Sequence, residues 1–284
     1  MISDEQVRSV SRRMRDLIEP LAANVYFAPE AQEAYKQLGL TYMPGYFRSR
    51  SACMGDVSGE VVVATFGVFN PAIVVPAIAE ARPKATVTDV LAARLQGATA
   101  GLTRILEAVP DGLSRATDLL RRADEATTVE GHPICGGLRS LGFPGEPIGD
   151  FWRAADILRE HRGDSHVAAW VSHGVDAVEI TLLTELWWRL PMNSYVATRG
   201  WSSEEIDAAI VRLRDRGLID GEAFTPEGEA LRASIEEGTD RQERTIVEAL
   251  GDDAEELVAL LEPWAVAVVK SGGYPGDPRR LTRP

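Results

Sequence analysis

The chain has 284 residues, 45% of them hydrophobic and 26% charged, which excludes a disordered or low-complexity protein and suffices for one large domain or two ordinary ones. Its net charge of −13 argues against unspecific attraction to nucleic acid or anionic lipid. No apolar run reaches the about 18 residues of a membrane span and the start has no signal-peptide core, so we expect a soluble, cytoplasmic protein without membrane contact.

The first half of the chain carries helix patterns almost throughout. The stretch 61–69, VVVATFGVF, is compatible with a buried strand, but we predict a helix because no second convincing strand is present to pair with it. The stretch 41–55 contains several aromatic residues and glycines, and its sequence predicts no definite secondary structure. Elsewhere, apolar residues at helical spacing predict helices over 5–22, 29–38, 71–81, 88–109 and 111–126.

A Gly/Pro-rich segment, 129–149, separates the two halves of the chain. It contains six glycines and three prolines, a composition typical of a linker, a lid or a binding loop. We therefore predict a helical domain over 1–128 and a second domain over 150–284.

The second half begins with two predicted helices. The first covers 151–162 and is stopped by Gly163, which fits the left-handed position after a helix end. The next begins at Asp164 or Ser165, both good N-cap residues, and runs to about residue 189.

Clear start and stop signals continue after residue 200. Ser202 or Ser203 opens a helix with a capping box to Glu205, and Gly217 ends that helix. The remaining chain is predicted as a hairpin-like link over 218–224, helices over 226–249 and 253–270, and a tail over 271–284.

Residues 180–262 resemble the winged-helix domain of MarR-type regulators. The matching text is EITLLTELWWRL, NSYVATRGWSSEEIDAAIVRLRDRGLID and FTPEGEALRASIEE. Over nearly its full length, from YFAPEA at 26–31 to ILREHRGDSHVAAW at 157–170, the chain also resembles a little-studied actinobacterial family. That resemblance implies an all-α, mainly helical fold with a helical N-terminal domain and a degenerate winged helix with a shortened wing. It also implies a possible homodimer, because the helices flanking MarR-type winged helices pair subunits.

The segment that corresponds to the recognition helix departs from a DNA-binding pattern. Its leading residues include Glu204, Glu205 and Asp207, and carboxylates repel the phosphates that a recognition helix must approach. The wing is only DGEAF at 220–224. We therefore expect no specific DNA binding, although a MarR-like ligand-responsive regulator stays an alternative.

Three histidines lie in the stretch EHRGDSHVAAWVSHG. His166, Trp170 and His173 follow helical spacing and predict a pocket wall suited to a planar or aromatic ligand. If the turn at Gly163 folds back, His161 and Asp164 join them, with His166 or His161 as general base and Asp164 orienting it. Helix ends explain the same motif, since a histidine suits a helix C-terminus and Asp164 suits an N-cap. The spacing does not indicate a metal site.

Aromatic and arginine side chains form a second group of candidates in the first half. Arginines among aromatic rings could bind a carboxylate or a stacked ring, but they could equally border a core segment. The candidate ligand-binding residues here are Tyr42, Tyr46, Phe47, Arg48, Arg50, Phe66, Phe69 and Asn70.

These groups predict one cavity between the two halves, lined by 42–47, 66–70 and 166–173, with Arg48 or Arg50 as the charge anchor. The corresponding function is a cytoplasmic protein that binds a small aromatic or anionic molecule. An enzyme that acts on a small organic substrate is an open alternative. No nucleotide, dinucleotide or serine-hydrolase motif is present, and the sequence identifies no cofactor, neither a haem held by a histidine nor another.

Overall fold

The computed structural model describes residues 2–275, so the last part of the predicted tail, 276–284, lies outside the described residues. Helices make up most of the structure, which confirms the predicted all-α class. In chain order the helices are α1 (Asp4–Ala23), α2 (Pro29–Gln37), α3 (Tyr42–Ser51), α4 (Gly59–Phe66), α5 (Pro71–Ala81), α6 (Val87–Leu106), α7 (Leu113–Glu125), α8 (Pro133–Ser140), α9 (Pro147–Ser172), α10 (Ala177–Trp187), α11 (Ser203–Asp215), α12 (Pro226–Gln242), α13 (Arg244–Leu250) and α14 (Ala254–Lys270).

The prediction of two helices around Gly163 is wrong, because α9 runs without interruption over 26 residues. Gly163 does not adopt a left-handed conformation, and the side chain of Asp164 bonds to another helix instead of capping its own. Glycine and aspartate favour a helix end only when the chain is free to turn there. Here helices α1, α7, α8 and α12 all pack against α9 and keep it straight. The helix ends instead at Ser172, and α10 begins after the N-cap Asp176.

A helix also forms inside the Gly/Pro-rich segment 129–149, where the composition predicted a loop. Helix α8 starts at Pro133 and includes Gly136 and Gly137. A Cβ atom at Gly137 would lie 2.8 Å from the backbone oxygen of Cys53. The glycine therefore allows a close helix contact, and that packing offsets its poor helix propensity.

The core residues form three clusters, and the largest draws on both sides of the segment 129–149. It joins α1, α6, α7 and α9 to α13 and α14 near the end of the chain. A second cluster holds α10, α11 and α12 together, and a third contains the aromatic residues of α3 and α4 with α5 and α8. The division of the chain into two domains at the segment 129–149 is a proposal.

The winged-helix region has the predicted short wing. Strands β1 (Ile219–Asp220) and β2 (Ala223–Phe224) pair antiparallel, with Ile219 opposite Phe224. The Ser202 hydroxyl accepts from the Glu205 backbone, and the Glu205 carboxylate accepts from the Ser202 backbone, which confirms the capping box before α11. None of the helices within residues 2–275 is long and apolar enough to span a membrane.

Candidate functional site

The structure brings the two aromatic segments and Trp170 together at one junction. The ring of Phe47 lies 5.0 Å from that of Phe69, and the ring of Tyr46 lies 6.3 Å from that of Phe66. Gly67, between the two phenylalanines, packs so closely on α9 that a Cβ atom there would lie 2.9 Å from the indole of Trp170. The two aromatic segments and Trp170 are therefore neighbours in space.

Arg50, a predicted anchor for an anionic ligand, is paired with a carboxylate of the chain itself. Its guanidinium donates to both carboxylate oxygens of Glu160 at 2.8 and 2.7 Å and lies 4.2 Å above the ring of Phe66. Arg159 donates to the same carboxylate at 2.6 Å. Burial by itself would raise the pKa of the Glu160 carboxyl, but the two arginines outweigh burial and lower this pKa to about 2.

Arg48, the other predicted anchor, is also paired. Its side chain is buried, and Nη1 lies 2.8 Å from a carboxylate oxygen of Asp56. Asp56 binds Arg82 as well, at 2.8 Å. Arg48 and Arg50 are thus both paired with carboxylates of the chain itself. Tyr42 remains largely exposed at the edge of the aromatic cluster.

The predicted His–Trp–His face does not form one wall. His166 lies 3.1 Å from the Thr239 hydroxyl and His173 lies 3.1 Å from the Ser234 hydroxyl, so both rings contact α12. Trp170 contacts the turn between α4 and α5 instead. Burial lowers the pKa of His166 to about 4, and its ring is therefore neutral at pH 7.

His161 lies in a buried polar cluster that the sequence did not predict. Its Nδ1 atom is 2.8 Å from a carboxylate oxygen of Glu243, and its ring stacks on that of His132 with 4.2 Å between centroids. His132 in turn lies 2.9 Å from the hydroxyl of Ser165. These partners are 82 and 33 residues apart in sequence, so no local spacing could have revealed them.

Asp164 belongs to the same region but bonds the first turn of α8. One carboxylate oxygen accepts from the backbone N–H groups of Ile134 and Cys135 at 3.0 and 3.1 Å. The other oxygen is buried and has no hydrogen-bond partner among residues 2–275. Burial raises the pKa of the Asp164 carboxyl to about 7, although the two backbone bonds lower it.

A charged surface cleft of about 230 Å³ lies away from this junction, between the start of α1 and the end of α12. Arginines line it, but Arg8 pairs with Glu5 and Arg244 pairs with Asp4. The cavity that the sequence predicts between the aromatic segments and Trp170 is a proposal.

The start of α11 is held against the turn between α4 and α5. Asn70 donates from its side chain to Glu205 at 3.1 Å and from its backbone to the carbonyl oxygen of Arg199 at 2.9 Å. The indole of Trp201 donates to the carbonyl oxygen of Val68 at 3.0 Å. In a DNA-binding winged helix, the N-terminal end of the helix that corresponds to α11 would enter the DNA groove. Here that end is partly covered by the turn between α4 and α5.

The arginines near the other end of α11 are partly neutralised. Arg212 lies 2.6 Å from a carboxylate oxygen of Asp176, and Arg216 lies 2.8 Å from one of Glu179. Glu204 and Asp207 are exposed on the leading turns. The charge pattern of the helix therefore favours neither phosphate contact nor base contact.

We expect Asn70→Ala to lower the free energy of unfolding by about 1–2 kcal/mol, because it removes the N-cap bond to Ala72 and the bond to Glu205. Asn70→Ser keeps a capping oxygen and loses only the bond to Glu205, so its loss should be smaller. Thermal denaturation measures both. A serine variant as stable as the wild type would show that the bond to Glu205 contributes nothing.

Comparison with protein-family models matches residues 11–275 to a helix-turn-helix family. The chain belongs to this helix-turn-helix family. The match extends far beyond α10–α12, so the N-terminal helices are part of what defines the family. No curated protein and no solved structure matches the chain.

Proposed function

We propose that this member of the helix-turn-helix family binds a small organic molecule and does not recognise DNA. The observation that carries the proposal is the docking of α11 on the turn Gly67–Asn70, which also contacts Trp170. The helix-turn-helix region α10–α12 therefore packs against the first half of the chain at this turn, which argues against its acting as a separate DNA-binding domain.

Two buried donors at this junction support a ligand there. The indole N–H of Trp170 and the Nε–H of Arg199 have no acceptor among residues 2–275. Arg199 lies 4.7 Å above the ring of Phe69, on the same turn that meets Trp170. Because buried donors are normally hydrogen-bonded, a ligand with oxygen acceptors beside an aromatic group fits the junction.

We expect no retarded complex in a mobility-shift assay with duplex DNA from the region upstream of the coding sequence, at sub-micromolar protein and about 50 mM salt. Low salt strengthens any phosphate contact, so the condition favours detection. The matched variant Glu204→Lys/Asp207→Lys should gain weak, salt-sensitive binding, because it removes the repulsion. A retarded wild-type complex under these conditions would contradict the proposal and would instead support a ligand-responsive regulator, which is consistent with the family membership.

Ligand binding is tested by mass spectrometry of the small molecules released from the purified, heat-denatured protein. We expect a bound species whose amount falls several-fold in Trp170→Phe, which keeps the ring and removes only the N–H donor. His173→Gln, outside the junction, serves as the control. Equal recovery from wild type and Trp170→Phe would contradict a ligand at Trp170.

A further inference from the structure

Four guanidinium groups and three carboxylates are gathered around α9 in the interior. Arg94 donates to Asp156 at 2.9 Å, and the pairs that Glu160 forms with Arg50 and Arg159 are described above. Arg159 also lies 2.9 Å from Glu19. This group consists of Arg50, Arg94, Arg153 and Arg159 with Glu19, Asp156 and Glu160, so within it the arginines outnumber the carboxylates by one.

The excess charge belongs to Arg153. The residue is 6% exposed, and its Nε and Nη1 groups are buried without an acceptor among residues 2–275. Two acids lie three residues from Arg153 along the helix: Asp156 is engaged by Arg94, and Asp150 accepts from the backbone of Gly145 and lies 3.9 Å from Arg121. Burial lowers the pKa of Arg153; the charge of Asp156 opposes this shift, and the like charge of Arg94 adds to it.

Arg153 differs in this respect from every other buried arginine of the described chain. Arg48, Arg94 and Arg232 each lie within 2.9 Å of a carboxylate oxygen. Cys53 lies near Arg153, but burial raises the pKa of its thiol to about 12, so it stays neutral at pH 7. A buried charge without a partner is strongly unfavourable, which makes this arginine a candidate for a functional site.

A loop borders this position. Gly149, one helical turn before Arg153, packs against Pro144, because a Cβ atom at Gly149 would lie 2.9 Å from the proline ring. The backbone N–H of Gly145 donates to Asp150 at 2.7 Å. The loop 141–146 therefore covers the first turns of α9. It is the part of the Gly/Pro-rich segment that leads directly into the helix.

We propose that Arg153 binds a small monoanionic carboxylate, which supplies the counter-charge that the chain lacks, beneath the loop 141–146. A planar carboxylate matches the guanidinium fork, and a single negative charge balances the single excess positive charge. The position is separate from the junction at Trp170, which lies about 25 Å further along α9. The two proposals can therefore fail independently.

The first test needs no ligand. Arg153→Met removes an unpaired buried charge and keeps the side-chain volume, so we expect the melting temperature of the protein without added carboxylate to rise by about 2–4 °C. The matched control, Arg94→Met, removes a paired charge and leaves Asp156 alone, so its melting temperature should fall. A fall for Arg153→Met as well would make Arg153 a structural residue and overturn the proposal.

The second test uses acetate as the probe and acetamide, which has the same shape without charge, as its control, at constant ionic strength. We expect tens of millimolar acetate to raise the melting temperature of the wild type, acetamide to have no effect, and Arg153→Met to abolish the acetate response. Arg153→Gln provides a second neutral variant. An acetate response that persists in both variants, or equal responses to acetate and acetamide, would overturn the proposal.

Discussion

Glu160→Gln is expected to lower the free energy of unfolding by about 3–5 kcal/mol, the largest effect of any single substitution that we predict. The carboxylate of Glu160 is buried and accepts from Arg50 and Arg159, with the Tyr26 hydroxyl at 3.3 Å. Glutamine keeps the shape but leaves both guanidinium groups without their shared counter-charge. Chemical denaturation at pH 7 measures the loss.

Two further variants make this prediction specific. Glu255→Gln breaks an exposed pair with Arg13 and should change stability by less than about 1 kcal/mol. The double variant Arg50→Met/Glu160→Gln removes both charges, so it should lose less stability than the summed losses of Arg50→Met and Glu160→Gln. Additive losses, or equal losses for Glu160→Gln and Glu255→Gln, would contradict the role assigned to the buried pair.

Asp164→Asn is expected to stabilise the protein at alkaline pH and to leave it nearly unchanged at acidic pH. The folded-state pKa of about 7 lies above the ordinary value of 3.8, so between these values the unfolded chain binds fewer protons than the native protein. The stability that the protonated carboxyl contributes is complete below about pH 4 and is lost as the pH rises through 7. The difference is up to about 4 kcal/mol at pH 8.

Asparagine suits this test because it cannot ionise and its carbonyl oxygen can still accept from the backbone of Ile134 and Cys135. Unfolding should be measured from pH 4 to pH 8 for wild type and variant. Burial also raises the pKa of Asp124. The free energy of unfolding of the variant should therefore still fall with rising pH, but less steeply than that of the wild type. Parallel curves for the two proteins would show that Asp164 does not titrate in this range. Exposed Asp252→Asn is the control.

Local signals determined much of the fold. The break at Asn70–Pro71, the capping box of Ser202 with Glu205 and the short wing follow from residue types within a few positions of one another. The helix over VVVATFGVF was predictable for another reason, since a lone strand leaves its backbone groups unpaired.

Only the tertiary structure decided the continuity of α9 and the partners of its polar side chains. Gly163 and Asp164 carry the signals of a helix end, yet they are helical because α1, α7, α8 and α12 pack against α9. Arg50 pairs with Glu160 across 110 residues, whereas Arg153 has no carboxylate partner in the described chain. Charge pairing depends on distances between atoms in space, and sequence spacing carries that information only within a helix or a turn. The sequence by itself therefore determined most of the helices and several of their caps, while the three-dimensional packing determined which carboxylate each buried arginine of residues 2–275 meets and that Arg153 meets none.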